Sequence, residues 1–455
     1  MDASKVFEFL VIWAGAMALL AVLRKRWHIP GVGLTLTYLL NLSLIHWVGA
    51  AIYVLPTFDT RDLRFTELGF EQSLYGMLAF CVGGVLFTPI LIKKGLLPRA
   101  KGSHRLDTKL PKSYILCGVI FYLLSSTFLG HLPTATAIVS SGQQLIVAGL
   151  VLCCWMAWKE GNGRKLAAWL AIALLMPLTT VVTAGFLGYG VIAVMTLLVF
   201  VSTLFRSPKK VFFCGVLVAY VGLSVFVSYM RDRAEIRASV RGGQSLLDRF
   251  DRVTDTFATF EWFDPANQEH LKRIDGRLNQ NFLVGAAVIN LTQTEAYSHG
   301  ETLWDAALAL IPRVVWPEKV IQAGSGDLVT RYTGIEFAPD TSVGVGQVME
   351  FYANFGTSGV VLGFLIMGVV ITALDWQAAE RLERLDLHGF VLWYLPGIAL
   401  LQVGGQLVEL TASAAASLTV ALVVNRYLDS WQAKRASNTP AYAAVPRLRS
   451  SPRNV

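Results

Sequence analysis

Four arginines, Arg231, Arg233, Arg237 and Arg241, stand where a long apolar run gives way to polar chain. The last three follow at intervals of four, so a helix carries them as one cationic stripe. Arginine suits a phosphate or diphosphate, because its planar fork donates two parallel hydrogen bonds to neighbouring oxygens and stays charged at any relevant pH. A solvated amphipathic helix, pairing its arginines with Asp232, Glu235 and lipid head groups, has the same pattern. Further on, Arg277 and Asn281 share a helical face at four-residue spacing. Arg313 and Lys319 belong to a run, Ile311-Pro312-Arg313-Val314-Val315-Trp316-Pro317-Glu318-Lys319, whose prolines stop a helix and pin a turn. For taking a proton from a hydroxyl the candidates are His299, Glu301, Glu350 and Glu409. His299 and His270 also fit ordinary surface histidines. Glu409, flanked by apolar residues, either faces a cavity or partner or lies solvated at an interface. Trp316 anchors at a membrane interface or stacks on a sugar ring, with Tyr352 and Asn354 as companion sugar-binding candidates. No Asp-rich motif of the kind that metal-diphosphate sites prefer is present, so neither a metal nor a cofactor is expected.

The elements that position these residues are apolar spans. Of the 455 residues 54% are hydrophobic and only 15% charged, against about 25% charged in an average soluble domain. The chain is expected to be an all-α polytopic membrane protein with spans near 6–24, 31–55, 73–92, 113–132, 135–158, 166–182, 185–205, 211–229, 349–374, 389–405 and 409–428, about eleven in all. That divides it into an N-terminal bundle (1–229), one large polar loop with short amphipathic helices (230–348), C-terminal spans (349–430) and a basic, disordered tail (431–455). Within the loop, 282–291 is too short to span but suits a helix lying on or dipping into the membrane. The first span lacks a basic leader and is followed by Arg24-Lys25-Arg26, so it is expected to stay in the protein.

The net charge of +8 is spread in short clusters beside the spans. These clusters alternate in side, which is an orientation signal rather than a nucleic-acid footprint, and nucleic acid is excluded as a partner. Positive residues inside put the N-terminus and the long loop outside and the C-terminus in the cytoplasm. All five cysteines lie in apolar spans and are expected to pack there. Small and polar residues cluster at the outer ends of spans, at Thr179, Thr180, Thr183, Gly185, Gly188 and Gly190 and again at Gln402, Gly404, Gly405, Gln406 and Glu409. They either line a cavity opening outward or allow close helix packing.

The Pro-Arg-x-x-Trp-Pro-x-Lys run at 312–319, followed by Glu350-Phe351-Tyr352-Ala353-Asn354-Phe355-Gly356 before a terminal set of spans, resembles the bacterial oligosaccharide repeat-unit polymerases. This is the O-antigen polymerase family, related to the O-antigen ligases. The likeness extends to the layout of the chain and is concentrated in about 277–360. The resemblance implies an all-helical, lipid-carrier-dependent (GT-C-like) glycosyltransferase in the bacterial inner membrane. It would transfer a growing glycan from undecaprenyl diphosphate to an incoming lipid-linked repeat unit at the periplasmic face. It further implies loop arginines on the diphosphate, the bilayer as surroundings, and a chain-length co-polymerase and a flippase as possible partners. The alternatives are an O-antigen-type ligase, which uses the same donor, and a flippase or transporter of a lipid-linked saccharide.

Overall fold

The computed structural model describes residues 3–27, 29–58, 63–100, 106–125, 133–205, 207–311, 316, 325–337 and 343–438. Arg313, Lys319 and their two prolines lie outside the described residues. Among the described residues the chain forms nineteen α-helices and no strand. The first half contains α1 (Ala3–Arg26), α2 (Leu34–Ile45), α3 (Trp47–Ala51) and α4 (Leu63–Val82), the last continuing through a π turn into α5 (Thr88–Lys93). There follow α6 (Leu110–Ser125), α7 (Pro133–Lys159), α8 (Gly163–Leu174), α9 (Met176–Ala184), α10 (Gly188–Leu204) and α11 (Pro208–Arg241). The polar loop folds into α12 (Leu246–Ala258), α13 (Gln268–Leu278), α14 (Asn281–Thr294), α15 (Glu301–Ala309) and α16 (Ser325–Thr333). The chain then returns to the bundle as α17 (Gln347–Glu383), α18 (Leu387–Ala399) and α19 (Leu407–Asn438).

Among the described residues, eight helical segments are long and apolar enough to cross a membrane, and the shorter apolar helices α6, α10 and α18 coincide with three further expected spans. The protein is therefore a polytopic membrane protein. The shortest of these helices, α18, has 13 residues, which cover about 20 Å against a hydrocarbon core of about 30 Å. Its chain stays buried as non-helical backbone, whose polar groups the protein itself satisfies: the Asn41 amide donates to the Leu401 carbonyl (3.0 Å) and the Gln347 N–H to the Val403 carbonyl (3.2 Å).

Two features set the geometry of the loop. The short apolar helix α14 does not lie apart; it packs along α4, with Val284, Gly285, Ala286 and Ala287 buried. A Cβ on Gly285 would stand 2.6 Å from the Phe65 carbonyl carbon, and one on Gly69 would stand 2.7 Å from that of Asn281. Glycine at both places lets the two backbones touch. The second feature is a break in α17 at Phe355 (φ −144°, ψ 26°) and Gly356 (φ 60°, ψ −150°); the latter conformation is one that glycine alone adopts without strain.

At the opposite end of α17, Asp375 is fully buried. It accepts from the N–H groups of Val32 (2.7 Å) and Leu34 (3.1 Å), from the Thr35 hydroxyl (2.8 Å) and from Arg24 (2.8 Å). It thus caps the N-terminus of α2 with a carboxylate, where the helix dipole favours negative charge. Of the cysteines, Cys153 and Cys154 are buried but Cys214 is exposed, because the first half of α11 stands clear of the bundle with Phe212, Phe213 and Leu217 exposed.

Candidate functional site

The helix α11 runs past its apolar part to Arg241 and so carries the whole arginine stripe. Arg231 is separated from the others by its partners. It donates to both oxygens of Asp232 (2.9 Å each), to Glu261 (2.9 Å) and to the Thr259 carbonyl (2.7 Å). Glu261 also takes Arg273 (2.8 Å) and His270 Nε2 (3.2 Å). His270 Nδ1 accepts the Asp264 N–H (3.1 Å), so its proton sits on Nε2. His270 is accordingly buried, not a surface histidine. Burial alone would raise the Glu261 pKa, but the three donors outweigh it and hold it down at about 2. This hub clamps α12 and α13 onto α11, and it occupies the Arg231 guanidinium that the sequence groups with the phosphate ligands.

Arg233 and Arg237 remain, and Arg277 joins them from α13. Partial burial, then repulsion from Arg233 and Arg237, pushes the Arg277 pKa below the ordinary arginine value. Arg233, Arg237 and Arg241 have no acidic partner among the described residues, since Asp232 is taken by Arg231 and Glu235 by Arg252. Arg237 lies over the Phe186 ring (4.6 Å) and beside Gly185, whose carbonyl accepts the Tyr229 hydroxyl (2.8 Å). Cations gathered at one place attract an anion, and Arg233 and Arg237 beside Arg277 form a candidate site for a phosphate-type group.

Arg277 also lines a cleft of about 320 Å³ with Asp275, Asn279, Gln280, Phe282 and Phe337. The joint between α13 and α14 that forms its wall is fixed from behind. The Gln280 N–H donates to the Ile45 carbonyl (3.0 Å), and Asn279 Nδ2 donates to Asp275 (2.8 Å) and Thr66 (3.1 Å). The Asn281 amide is fully buried, accepting from His46 Nδ1 (2.8 Å) and returning a bond to the His46 carbonyl (2.8 Å). The chain therefore breaks between Leu278 and Asn281, and Arg277 and Asn281 do not share a face as a single helix would have it. A larger hollow of about 510 Å³ between α11 and α12 is walled by Glu235, Asp248, Asp251 and Asp255 with Arg252, and its acidic lining repels an anion.

The first segment of α17 ties the neighbouring loop together. Glu350, fully buried, accepts the Leu407 N–H (2.7 Å) and so caps α19; Thr302, Asp305 and Glu409 are its polar surroundings. One turn later, Asn354 accepts the Gly300 N–H (2.9 Å) at the start of α15 and donates to Thr302 Oγ1 and the Glu350 carbonyl (2.7 Å each). The turn ahead of α15 holds His299 at φ 46°, a conformation that costs a non-glycine residue energy.

A family model described as a domain of unknown function, DUF8712, matches residues 74–392. The chain belongs to the DUF8712 family. The matched region runs from within α4 into α18 and holds Arg233, Arg237, Arg277, the cleft and Glu350, but not Glu409. No curated protein and no solved structure matches this DUF8712 chain.

The remaining expected site residues of this DUF8712 protein are spread around the two centres. Glu301 is exposed and pairs with Arg331 (3.3 Å). Glu409 is exposed in the first turn of α19. Tyr352 is buried, its hydroxyl 3.5 Å from that of Thr292, and Trp316 is exposed. Both small-residue clusters border the centres, since Gly185 abuts Arg237 and Gly404 abuts Gln280. Among the described residues no three His, Cys, Asp or Glu side chains gather as metal ligands would. His46 and Ser73, which hold the α13–α14 joint, are not among the residues the sequence singles out; for His46 a histidine inside an apolar run is the signal that marks it.

Proposed function

We propose that this protein is a membrane-embedded glycosyltransferase that polymerises oligosaccharide repeat units carried on undecaprenyl diphosphate. The observation that supports this most is the meeting of Arg233, Arg237 and Arg277, the first two without an acidic partner, at the end of the bundle covered by the loop helices. In the reaction, the bond between the donor's anomeric carbon and the diphosphate oxygen breaks, and its electron pair leaves with the diphosphate. Arginine charge aimed at those oxygens stabilises that departure. A hydroxyl of the incoming unit attacks the anomeric carbon, its proton passing to a base drawn from His299, Glu301, Glu350 and Glu409. In-line displacement inverts the centre. The matching architecture is a GT-C-like bundle of about eleven spans in the bacterial inner membrane. Its N-terminus and long loop are periplasmic, its C-terminus is cytoplasmic, and it works beside a flippase and a chain-length co-polymerase.

A transporter of lipid-linked saccharide is the second reading, favoured by the break in α17 next to the buried Glu350, since broken helices and buried carboxylates mark many transport sites. The test is deletion of this chain in its host, with lipid-linked and surface glycans resolved by size, and complementation by the wild type and by Arg277→Ala. Single repeat units that reach the outer face, rescued to polymer by the wild type but not by inserted Arg277→Ala, is the expected result. Finished polymer left on the carrier would indicate a ligase, and units trapped on the cytoplasmic leaflet would indicate a transporter; either overturns the polymerase.

A further inference from the structure

We infer that the cleft at the α13–α14 joint is a saccharide subsite, taking the pyranose ring attached directly to the phosphate that Arg233, Arg237 and Arg277 hold. This rests on the anion-site reading above and adds to it a place and a chemistry for the next chemical unit of the ligand.

Continuity is the first argument. Arg277 belongs both to the arginine cluster and to the cleft wall, so a ligand whose phosphate sits on the cluster projects its neighbouring group past Arg277 into the cleft. The lining is the second. Sugar rings present hydroxyls around the edge and C–H groups on the faces, and proteins bind them with planar amides and carboxylates at the edge and aromatic rings at the face. The cleft supplies the Asp275 carboxylate, the Asn279 and Gln280 amides and the rings of Phe282 and Phe337.

Several of these groups are held in place and still have bonding capacity. Phe282 is fixed edge-on against Phe65, with centroids 5.2 Å apart at 84°. The Gln280 side chain runs between Gly344, Gly346 and Gly404, where a Cβ on Gly346 would come within 2.6 Å of Gln280 Oε1 and one on Gly404 within 3.1 Å of Nε2. Its amide forms no hydrogen bond among the described residues, and Asn279 Oδ1, in a side chain with 6% exposure, has no hydrogen-bond partner either. An amide locked by its neighbours yet unbonded is prepared for a ligand's hydroxyl.

Size and polarity decide between occupants. About 320 Å³ lies at the lower end of small-molecule pockets, which run to about 1,000 Å³; it accommodates one ring rather than an oligosaccharide. An isoprenoid segment in the same place would match Leu283, Ile335 and Val343 but leave the unbonded Gln280 amide facing hydrocarbon, which buried polar groups resist.

The test is calorimetric titration of the purified full chain in detergent with inorganic phosphate and with the 1-phosphates of glucose, galactose and N-acetylglucosamine. At least one sugar phosphate should bind about tenfold or more tightly than inorganic phosphate. Gln280→Ala and Phe337→Ala, checked for unchanged melting, should remove that advantage while leaving phosphate affinity unchanged. Arg277→Ala should weaken both ligands. Equal affinity for phosphate and every sugar phosphate, or cleft variants that retain the full sugar advantage, would overturn the subsite and leave the anion site standing. If wild-type protein binds none of these probes, the anion site fails and the subsite with it.

Discussion

The contact between α14 and α4 makes a quantitative prediction. A Cβ added at Gly285 would stand 2.6 Å from the carbonyl carbon of Phe65 and nearer still to its oxygen, whereas ordinary contacts begin at 3.4 Å. The obstacle is backbone, which has no rotamer to change. Gly285→Ala must therefore push α14 off α4 by at least about 0.8 Å, the difference between those two distances. Overpacking of this kind costs about 1–3 kcal/mol, and a shift near 1 Å at a reacting centre can cost about 100-fold in rate. Because α14 begins at the cleft wall, the shift is transmitted to Asn279 and Gln280. The matched control is Gly222→Ala in α11, where an added Cβ meets nothing within 4 Å and the change should stay within about 0.5 kcal/mol. Melting of both variants in detergent and polymer formation in the complemented deletion strain are the assays. Gly285→Ala should melt earlier and make roughly tenfold to 100-fold less polymer, with Gly222→Ala like the wild type. A Gly285→Ala protein with unchanged melting and polymer would refute the close approach of the two backbones.

Three further outcomes follow from single features. Gly356→Ala places a side chain at φ 60°, ψ −150°, costing about 1–3 kcal/mol; it should lower the melting temperature, and a variant as stable as wild type would argue against the break in α17. Glu261 has its pKa depressed from 4.5 to about 2, so the docking of α12 and α13 is fully supported above pH 4.5 and weakens as pH falls toward 2. Amide exchange in α13 should accelerate across that window in the wild type and show no such transition in Glu261→Gln. Arg231→Ala should expose the segment 242–267 to limited proteolysis while inorganic phosphate still binds; loss of phosphate affinity without any proteolytic change would return Arg231 to the anion site.

Much of the scaffold was legible because an apolar run with few charges has few alternatives to a membrane helix. Each expected span has a helix at its position, while lengths were less readable: α11 continues to Arg241 because its charged end docks on α12 and α13, contacts that no local pattern announces. The spacing of Arg233, Arg237 and Arg241 was visible, but the separate engagement of Arg231 depends on Glu261, 30 residues away. Likewise Arg277 and Asn281 looked like neighbours on one helix until the Asn281 amide took His46 as its partner across 235 residues. Glu350 and Asn354 stood out separately, as a candidate base and a candidate sugar ligand; that they cap α19 and α15 required knowing which helix ends arrive there. Asp375 escaped notice because it follows the last residue of the expected span 349–374 and opens a polar segment, where a carboxylate is ordinary and nothing local shows that the start of α2 will bind it.

Asp375 has a consequence for how the chain is made. The N–H groups at the start of α2 reach their acceptor only across 343 residues of sequence, and Arg24 only across 351. At about 5–20 residues per second of synthesis, the first two helices wait on the order of a minute in the membrane before α17 supplies the carboxylate that completes them. Chains that stop short of α17 lack the carboxylate that Arg24 and the start of α2 bind, so closure of the N-terminal helices is of necessity a late step of assembly.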